Sequence, residues 1–370
     1  MKSYEERNKD NQYKIDMFRT KQGLPYEAKV KYAAIRVREF YDHMEGQCFV
    51  SVGGLDSITL LMFIRSLHID VPAVSVSSLE DKSIQKIHKQ LGVERLLPAM
   101  RDDGRPWRKV DIIRKFGYPV LSKEIAGKIS LLQHPSENNA TVRHAIITGE
   151  TGEYGGYRKG TRMQLAKKWL ELFGGPENEN EGVNYQTAPF LVSDKCCYYL
   201  KEKPCDDYAK KSGRKPYVGL MASEGGRREK SLMLNGCNYY GKTVTRSAPF
   251  AIFLRQDLLQ LALDLHVPVP EIYGEIVRDP DGTLRTTGAQ RTGCSMCGFG
   301  IHLEKRPHRF DQLYACNPKE WDFWMNRCDT DENGNPCGWG RVLDYIGVEW
   351  RHEMDSSVPG KIEWKEAGQE

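Results

Sequence analysis

An α/β fold, built on a doubly wound and mostly parallel sheet, is what this sequence predicts from three observations. Short apolar runs of strand length alternate with longer segments whose apolar residues recur at helical spacing. A Gly53-Gly54 turn joins the first such run to a helix-like segment. Hydrophobic residues make up 39% of 370, enough for a sizeable core.

Taken in order, residues 1–30 read as a polar leader that ends in helical packing. Between Ala28 and Met44, Val30, Ala33, Ala34, Val37, Phe40 and Tyr41 form a helical stripe suited to lying on a sheet. Gln47–Val52 (QCFVSV) reads as a buried strand, and Ser57–Leu67 (SITLLMFIRSL) as a core helix. Val71–Ser77 is a second strand, Ser83–Leu91 a second helix, Val110–Phe116 a third, and Ala145–Thr148 another strand. Gly174–Glu181 (GGPENENE) is a polar surface break. Beyond it, Val218–Ala222 reads as a strand, Arg255–Leu265 as a helix, and Cys328–Cys337 as a loop. Such strand–helix alternation favours a parallel sheet. Three regions are expected: a helical leader over 1–45, an α/β domain over 46–270, and a cysteine-bearing, α-rich extension over 271–370.

The balance of 54 basic and 50 acidic residues, net +4, argues against a dedicated nucleic-acid coat, although local basic stretches occur near Trp107–Lys115 and Tyr157–Lys168. No apolar run approaches the ~20 residues of a membrane span, and the charged N-terminus lacks a signal peptide's apolar stretch. A cytoplasmic location is expected. In a reducing compartment ten cysteines point to metal or redox chemistry rather than to disulfides.

The segment Ser51-Val52-Gly53-Gly54-Leu55-Asp56-Ser57 lies between a strand and a helix. Its glycines let the backbone turn sharply and approach a ligand. The N–H groups opening the next helix then favour an anion. Ser57 offers a hydroxyl to the same anion, and Asp56 a helix cap or a metal contact. This turn resembles the SGGKDS loop of the PP-loop, adenine nucleotide alpha-hydrolase-like proteins. It keeps Gly53, Gly54, Asp56 and Ser57, with Val52 for the first serine and Leu55 for the lysine. The resemblance implies a Rossmann-like core and a bound adenine nucleotide held by Ser51, Gly53, Gly54, Asp56 and Ser57. A second glycine pattern, Gly236–Thr243 (GCNYYGKT), matches a P-loop but lacks its strand–turn–helix context, so it reads as a chance match.

Cys196 and Cys197 are adjacent, and Cys294 and Cys297 form a CxxC far downstream. Four thiolates drawn from two segments suit a 4Fe–4S cluster, and tetrahedral zinc accepts the same donors. Nearby Lys195, Lys201, Lys203 and Arg291 would offset the negative charge. KCC-x4-K-x2-P, a GLMASE segment and RTGC-x2-C together resemble the PAPS reductase family, over about Gln47 to Val348. The resemblance implies that Cys196, Cys197, Cys294 and Cys297 ligate a 4Fe–4S cluster. It also implies nucleotide contacts from Glu224 and Arg228, in MASEGGRR, and from Lys123, in PVLSKE. Arginine suits such anions because its planar fork donates two hydrogen bonds. His302 and His308 are candidate ligands or acid–base groups, although a lone histidine beside a helix is more often structural.

The activity so implied is reduction of APS or PAPS to sulfite, with a thioredoxin-like or other thiol as electron donor. The family's C-terminal ECGLH-like tail has no counterpart in SSVPGKIEWKEAGQE, so the nucleophile is unassigned; Cys205, Cys237, Cys316, Cys328 and Cys337 remain as thiols outside the ligand set. One alternative is an ATP-dependent adenylating sulfurtransferase acting on tRNA or DNA, with Mg²⁺. Another is a non-catalytic nucleotide- or nucleic-acid-binding protein with a structural cluster. A homo-oligomer is expected.

Overall fold

Residues 4–76, 80–151, 161–181, 185–294 and 296–352 are described by a computed structural model. Two compact units are present, and neither is continuous in sequence. Unit 1 comprises Met1–Ala99 with Lys201–Cys294, and unit 2 comprises Met100–Leu200 with Ser295–Glu370.

Unit 1 starts with helices α1 (Tyr4–Gln22) and α2 (Tyr26–His43), followed by β1 (Cys48–Ser51), α3 (Leu55–Ser66), β2 (Ala73–Ser75), α4 (Lys82–Gln90) and β3 (Glu94–Arg95). Successive side chains of β1 face opposite ways. Cys48 and Val50 join Val37 and Phe40 of α2 and Ile58 and Leu61 of α3 in the main core. Phe49 meets Val74, Leu96 and the helix Lys203–Ser212 in a second, smaller cluster. Helices therefore cover both faces of the sheet.

The sheet has six strands in the order β3, β2, β1, Lys215–Val218, Thr245–Ser247, Asn238–Tyr240. Every neighbouring pair is parallel except the last, a hairpin. From β1 the chain first steps outward to β2 and β3, and later returns at Lys215–Val218 on the other side of β1. Register from Cys48↔Lys215 to Ser51↔Val218 brings the carboxyl ends of these two strands level. The strand order reverses there, which is where open parallel sheets leave a ligand crevice.

The helix Arg255–Asp264 is anchored near its start. Asp257 accepts from Leu254 N–H (2.7 Å) and pairs with Lys29 of α2 at 2.7 Å, the side chains being 11% and 4% exposed.

Unit 2 has its own core, which includes Tyr118, Val120, Trp169, Phe173, Phe310 and Trp339. Three short backbone ribbons run parallel within it. Val192 bridges Tyr118, and Val120–Leu121 pairs with Gly298–Phe299. No described helix is long and apolar enough to cross a membrane.

Several local expectations change. Ala145–Thr148, expected as a strand, closes the helix Ala140–Thr148, which buries Ala145, Ile146 and Ile147 and ends on Gly149 with φ +83°. A four-residue apolar run fits either period, and packing decides. The strand expected over Val218–Ala222 lies at Lys215–Val218, because it stops where its partner β1 stops. The Cys328–Cys337 loop is a tight hairpin pairing Asp329–Thr330 with Pro336–Cys337. Gly236–Thr243 runs from the end of the helix Gly226–Asn235 into the Asn238–Ser247 hairpin, with no helix after its GKT, so the P-loop match is coincidental.

Candidate functional site

The Gly53-Gly54 turn leaves β1 at the level of the crevice and starts α3, with Gly54 as its N-cap. Contacts from three sides shape it. Ser57 Oγ accepts from Gly53 N–H (2.7 Å) and donates to the Gly54 carbonyl (2.9 Å), closing the turn on itself. His88, 3% exposed, donates from Nε2 to the Gly53 carbonyl at 2.8 Å. A carbonyl only accepts, so that nitrogen carries the proton, and burial lowers the ring's pKa and keeps it neutral. Tyr273 Oη accepts from Leu55 N–H at 3.2 Å.

Gly54 plays a different part from the one the sequence suggests. A Cβ on Gly54 would lie 2.3 Å from Tyr273 Oη, so a close approach within the protein itself already requires glycine there. On the neighbouring strand's side, a Cβ on Gly219 would lie 3.0 Å from the Ser57 backbone. Gly219, just past the strand Lys215–Val218, lets that chain pass against the start of α3.

Ser51, Gly53, Gly54, Asp56, Ser57, Glu224 and Arg228 all lie in unit 1. Ser51 Oγ faces Cys205 Sγ at 3.7 Å. Asp56 pairs with Arg255 at 2.5 Å, and Glu224 with Arg228 at 2.5 Å. Burial raises the Asp56 carboxyl above its ordinary range; Arg255 opposes this, Glu224 adds to it, and Arg291 opposes it. Three guanidiniums (Arg228, Arg255, Arg291) thus accompany Asp56 and Glu224, and Lys201 pairs at 2.7 Å with a third carboxylate, Glu80, which comes within 3.9 Å of where a Gly53 Cβ would stand. This surplus of positive charge, beside a helix N-terminus, suits an anion. Arg246, half-buried, donates to Ser231 Oγ at 3.2 Å. Lys123 lies in unit 2, at the first position of the helix Lys123–Gln133.

None of the four proposed ligand cysteines is in a disulfide. Cys196, buried, and Cys197, half-buried, lie on the short turn Lys195–Cys197, just past the ribbon at Val192. Cys297 directly precedes the Gly298–Phe299 ribbon, and its carbonyl accepts from Arg309 at 3.1 Å. Cys294 is the last residue of unit 1. Among the described residues, no three His, Cys, Asp or Glu side chains converge on one metal position.

Five other thiols are held protonated by burial, whereas Cys316 is exposed. Burial pushes Cys48 and Cys237 up to about 11 and Cys328 up to about 12, and it raises Cys205 and Cys337. His308 is structural, as expected: it caps the helix Arg309–Cys316 and donates from Nε2 to the Glu349 carbonyl at 2.9 Å. In the basic stretch after residue 100, Arg101, Arg105 and Arg108 pair with Asp103 and Asp111, and the Trp107 ring is buried. Residues 157–160 of the other basic stretch and the SSVPGKIEWKEAGQE tail lie outside the described residues.

Sequence reasoning missed Arg255, Tyr273 and His88. Arg255 carries no signal beyond opening a helix, and Tyr273 and His88 act through contacts with residues distant in the chain.

No protein-family model and no curated protein matches the chain. Among solved structures, a phosphoadenylyl-sulfate (PAPS) reductase from Candida auris, in a phosphate complex, overlaps 70% of this chain and 98% of its own. The TM-score is 0.33 and the identity 11%. At those values no residue correspondence and no activity follow from the likeness.

Proposed function

We propose that unit 1 binds an adenine nucleotide by its phosphate at the Gly53–Ser57 turn, and that the reaction served is reduction of a sulfonucleotide, APS or PAPS. The observation that carries this reading is the placement of the SVGGLDS turn at the strand-order reversal, with α3 and three guanidiniums around it. In the reaction, a thiolate attacks the sulfur and displaces the nucleotide, leaving a thiosulfonate. A second thiolate then releases sulfite, and the two thiols end as a disulfide. Sulfite release from APS or PAPS with a reduced thiol donor tests the reading. Its absence, in protein that binds the nucleotide, refutes the reductase assignment.

The state of Asp56 makes the binding half testable by pH. Its pKa is raised in the fold, so it takes up a proton at a pH where an ordinary aspartate stays ionised. Below that raised pKa, Arg255 loses its partner charge and the crevice becomes more positive. Sulfate stays doubly charged across this range, so its affinity is expected to rise as pH falls through the Asp56 titration. Asp56→Asn is expected to flatten that dependence, measured by calorimetric titration.

Cys196, Cys197, Cys294 and Cys297 are the residues we propose for a 4Fe–4S cluster on the chemistry of the donor set alone, four thiols without disulfides offered as two pairs; the fold as described does not bring three of them onto one metal position. When bound, such a cluster supplies a redox-capable, negatively charged centre. Anaerobically purified protein is expected to contain iron and acid-labile sulfide, and Cys294→Ala to lower both sharply. Stoichiometric zinc without sulfide would show that the site is a zinc site.

A second reading, an ATP-dependent sulfurtransferase with Mg²⁺, is favoured by the burial-raised pKa values of Cys48, Cys205, Cys237, Cys328 and Cys337. None of these five is prepared as a thiolate nucleophile near neutral pH. Nucleic-acid-dependent pyrophosphate release from ATP would identify it. Nucleotide binding with neither activity would leave a binding protein.

A further inference from the structure

The turn proposed to hold a phosphate is already engaged from within the chain. Leu55 N–H, in the first turn of α3, belongs to the set of helix-opening donors that would face an anion. In this structure it points at Tyr273 Oη, 3.2 Å away, and the same oxygen lies 2.8 Å from Thr292 Oγ1. Tyr273 is 3% exposed, and its hydroxyl fills the space over Gly54 where a Cβ would otherwise stand.

Tyr273 is also tied by its backbone to the segment that leads into Cys294. Gly288 N–H donates to the Tyr273 carbonyl and Ala289 N–H to the Ile272 carbonyl, each at 2.9 Å. A second bridge runs in parallel. Arg255 joins Asp56, on the first turn of α3, to the Gln290 carbonyl at 3.2 Å. Two chains of contacts thus connect the Gly53–Ser57 turn to residues 288–292, and Thr292 stands two residues before Cys294.

We infer that Tyr273 is an internal latch: its hydroxyl competes with a bound anion for Leu55 N–H, so that filling the phosphate site releases Tyr273 and loosens residues 288–292. The inference rests on the nucleotide-binding reading above. Its physical basis is the inequality of the two bonds. A neutral N–H···O bond of 3.2 Å is at the long end of the range, whereas a hydrogen bond to an anionic oxygen is shorter and about twice as strong. The anion therefore takes the N–H. Binding free energy spent on freeing Tyr273 is lost from affinity, and by linkage anything that frees Tyr273 strengthens anion binding.

The probe is adenosine 5′-monophosphate on the full-length protein, with its affinity measured by calorimetry. Amide exchange of Gly288 and Ala289 is followed by mass spectrometry in parallel. In the wild type, AMP is expected to speed exchange at these two amides. Tyr273→Phe keeps the buried ring but removes the hydroxyl. It is expected to show fast exchange without ligand, little further change with AMP, and AMP binding about 2- to 10-fold tighter, the worth of one ordinary hydrogen bond. AMP binding that leaves Gly288 and Ala289 unchanged in the wild type overturns the latch and leaves the nucleotide site standing. So does a Tyr273→Phe protein that binds AMP no tighter. No AMP binding to either protein overturns the latch and the nucleotide site together. The wild-type exchange arm does not depend on how the variant folds.

Discussion

Gly54→Ala is expected to destabilise the protein by about 1–3 kcal/mol, the usual cost of forcing extra atoms into a packed site. The added methyl would lie 2.3 Å from Tyr273 Oη, too close for any Cβ contact, and 3.1 Å from Thr292 Oγ1. Because Tyr273 is buried and its backbone is held by Gly288, the ring cannot step aside cheaply. The test of cause is the double variant Gly54→Ala/Tyr273→Phe. Phenylalanine removes the clashing oxygen and leaves the ring carbon that bore it at 3.6 Å, an ordinary contact. Urea unfolding should therefore show part of the loss recovered in the double variant, a coupling of about 0.5–3 kcal/mol. Strict additivity of the two changes would mean that Gly54 is glycine for a reason unrelated to Tyr273.

A larger loss, about 3–5 kcal/mol, is expected for Asp257→Ala, which leaves the Lys29 ammonium buried without its partner. The same change removes the acceptor of Leu254 N–H, the cap that sets the start of the helix Arg255–Asp264. Arg255, two residues from Asp257, is the group that pairs with Asp56 at the crevice. Sulfate affinity should therefore fall along with stability. A Lys29→Met/Asp257→Leu variant removes both charges, so it should be much less destabilised than Asp257→Ala. If the single variant unfolds at the wild-type urea midpoint, the pair is not the anchor described.

The strand, turn and first core helix around Gly53 were legible because their signals are local. An apolar strand of four residues, two glycines and a helical apolar run need only their own neighbours to be recognised. Ala145–Thr148 was misread because a run that short has no period of its own, and its helix is set by burial beside other parts of unit 2. Of the crevice, Asp56, Ser57, Glu224 and Arg228 were legible through motif resemblance. Their partner Arg255 was not, since an arginine at a helix start is unremarkable until the sheet order brings it to Asp56. Tyr273 left no trace in sequence at all. It acts through one hydroxyl on a backbone N–H 218 residues away.

What the sequence by itself determined is the α/β class, the parallel sheet and the position of the Gly53-Gly54 turn, because alternation, helical spacing and glycine content are properties of short segments. Tertiary structure alone decided that each unit is assembled from two separated stretches of chain, that Ser57 closes the turn on itself, and that Tyr273 sits on the helix-opening N–H. Those features rest on contacts between residues far apart in the chain. Only packing and hydrogen-bond satisfaction in the folded molecule select among them.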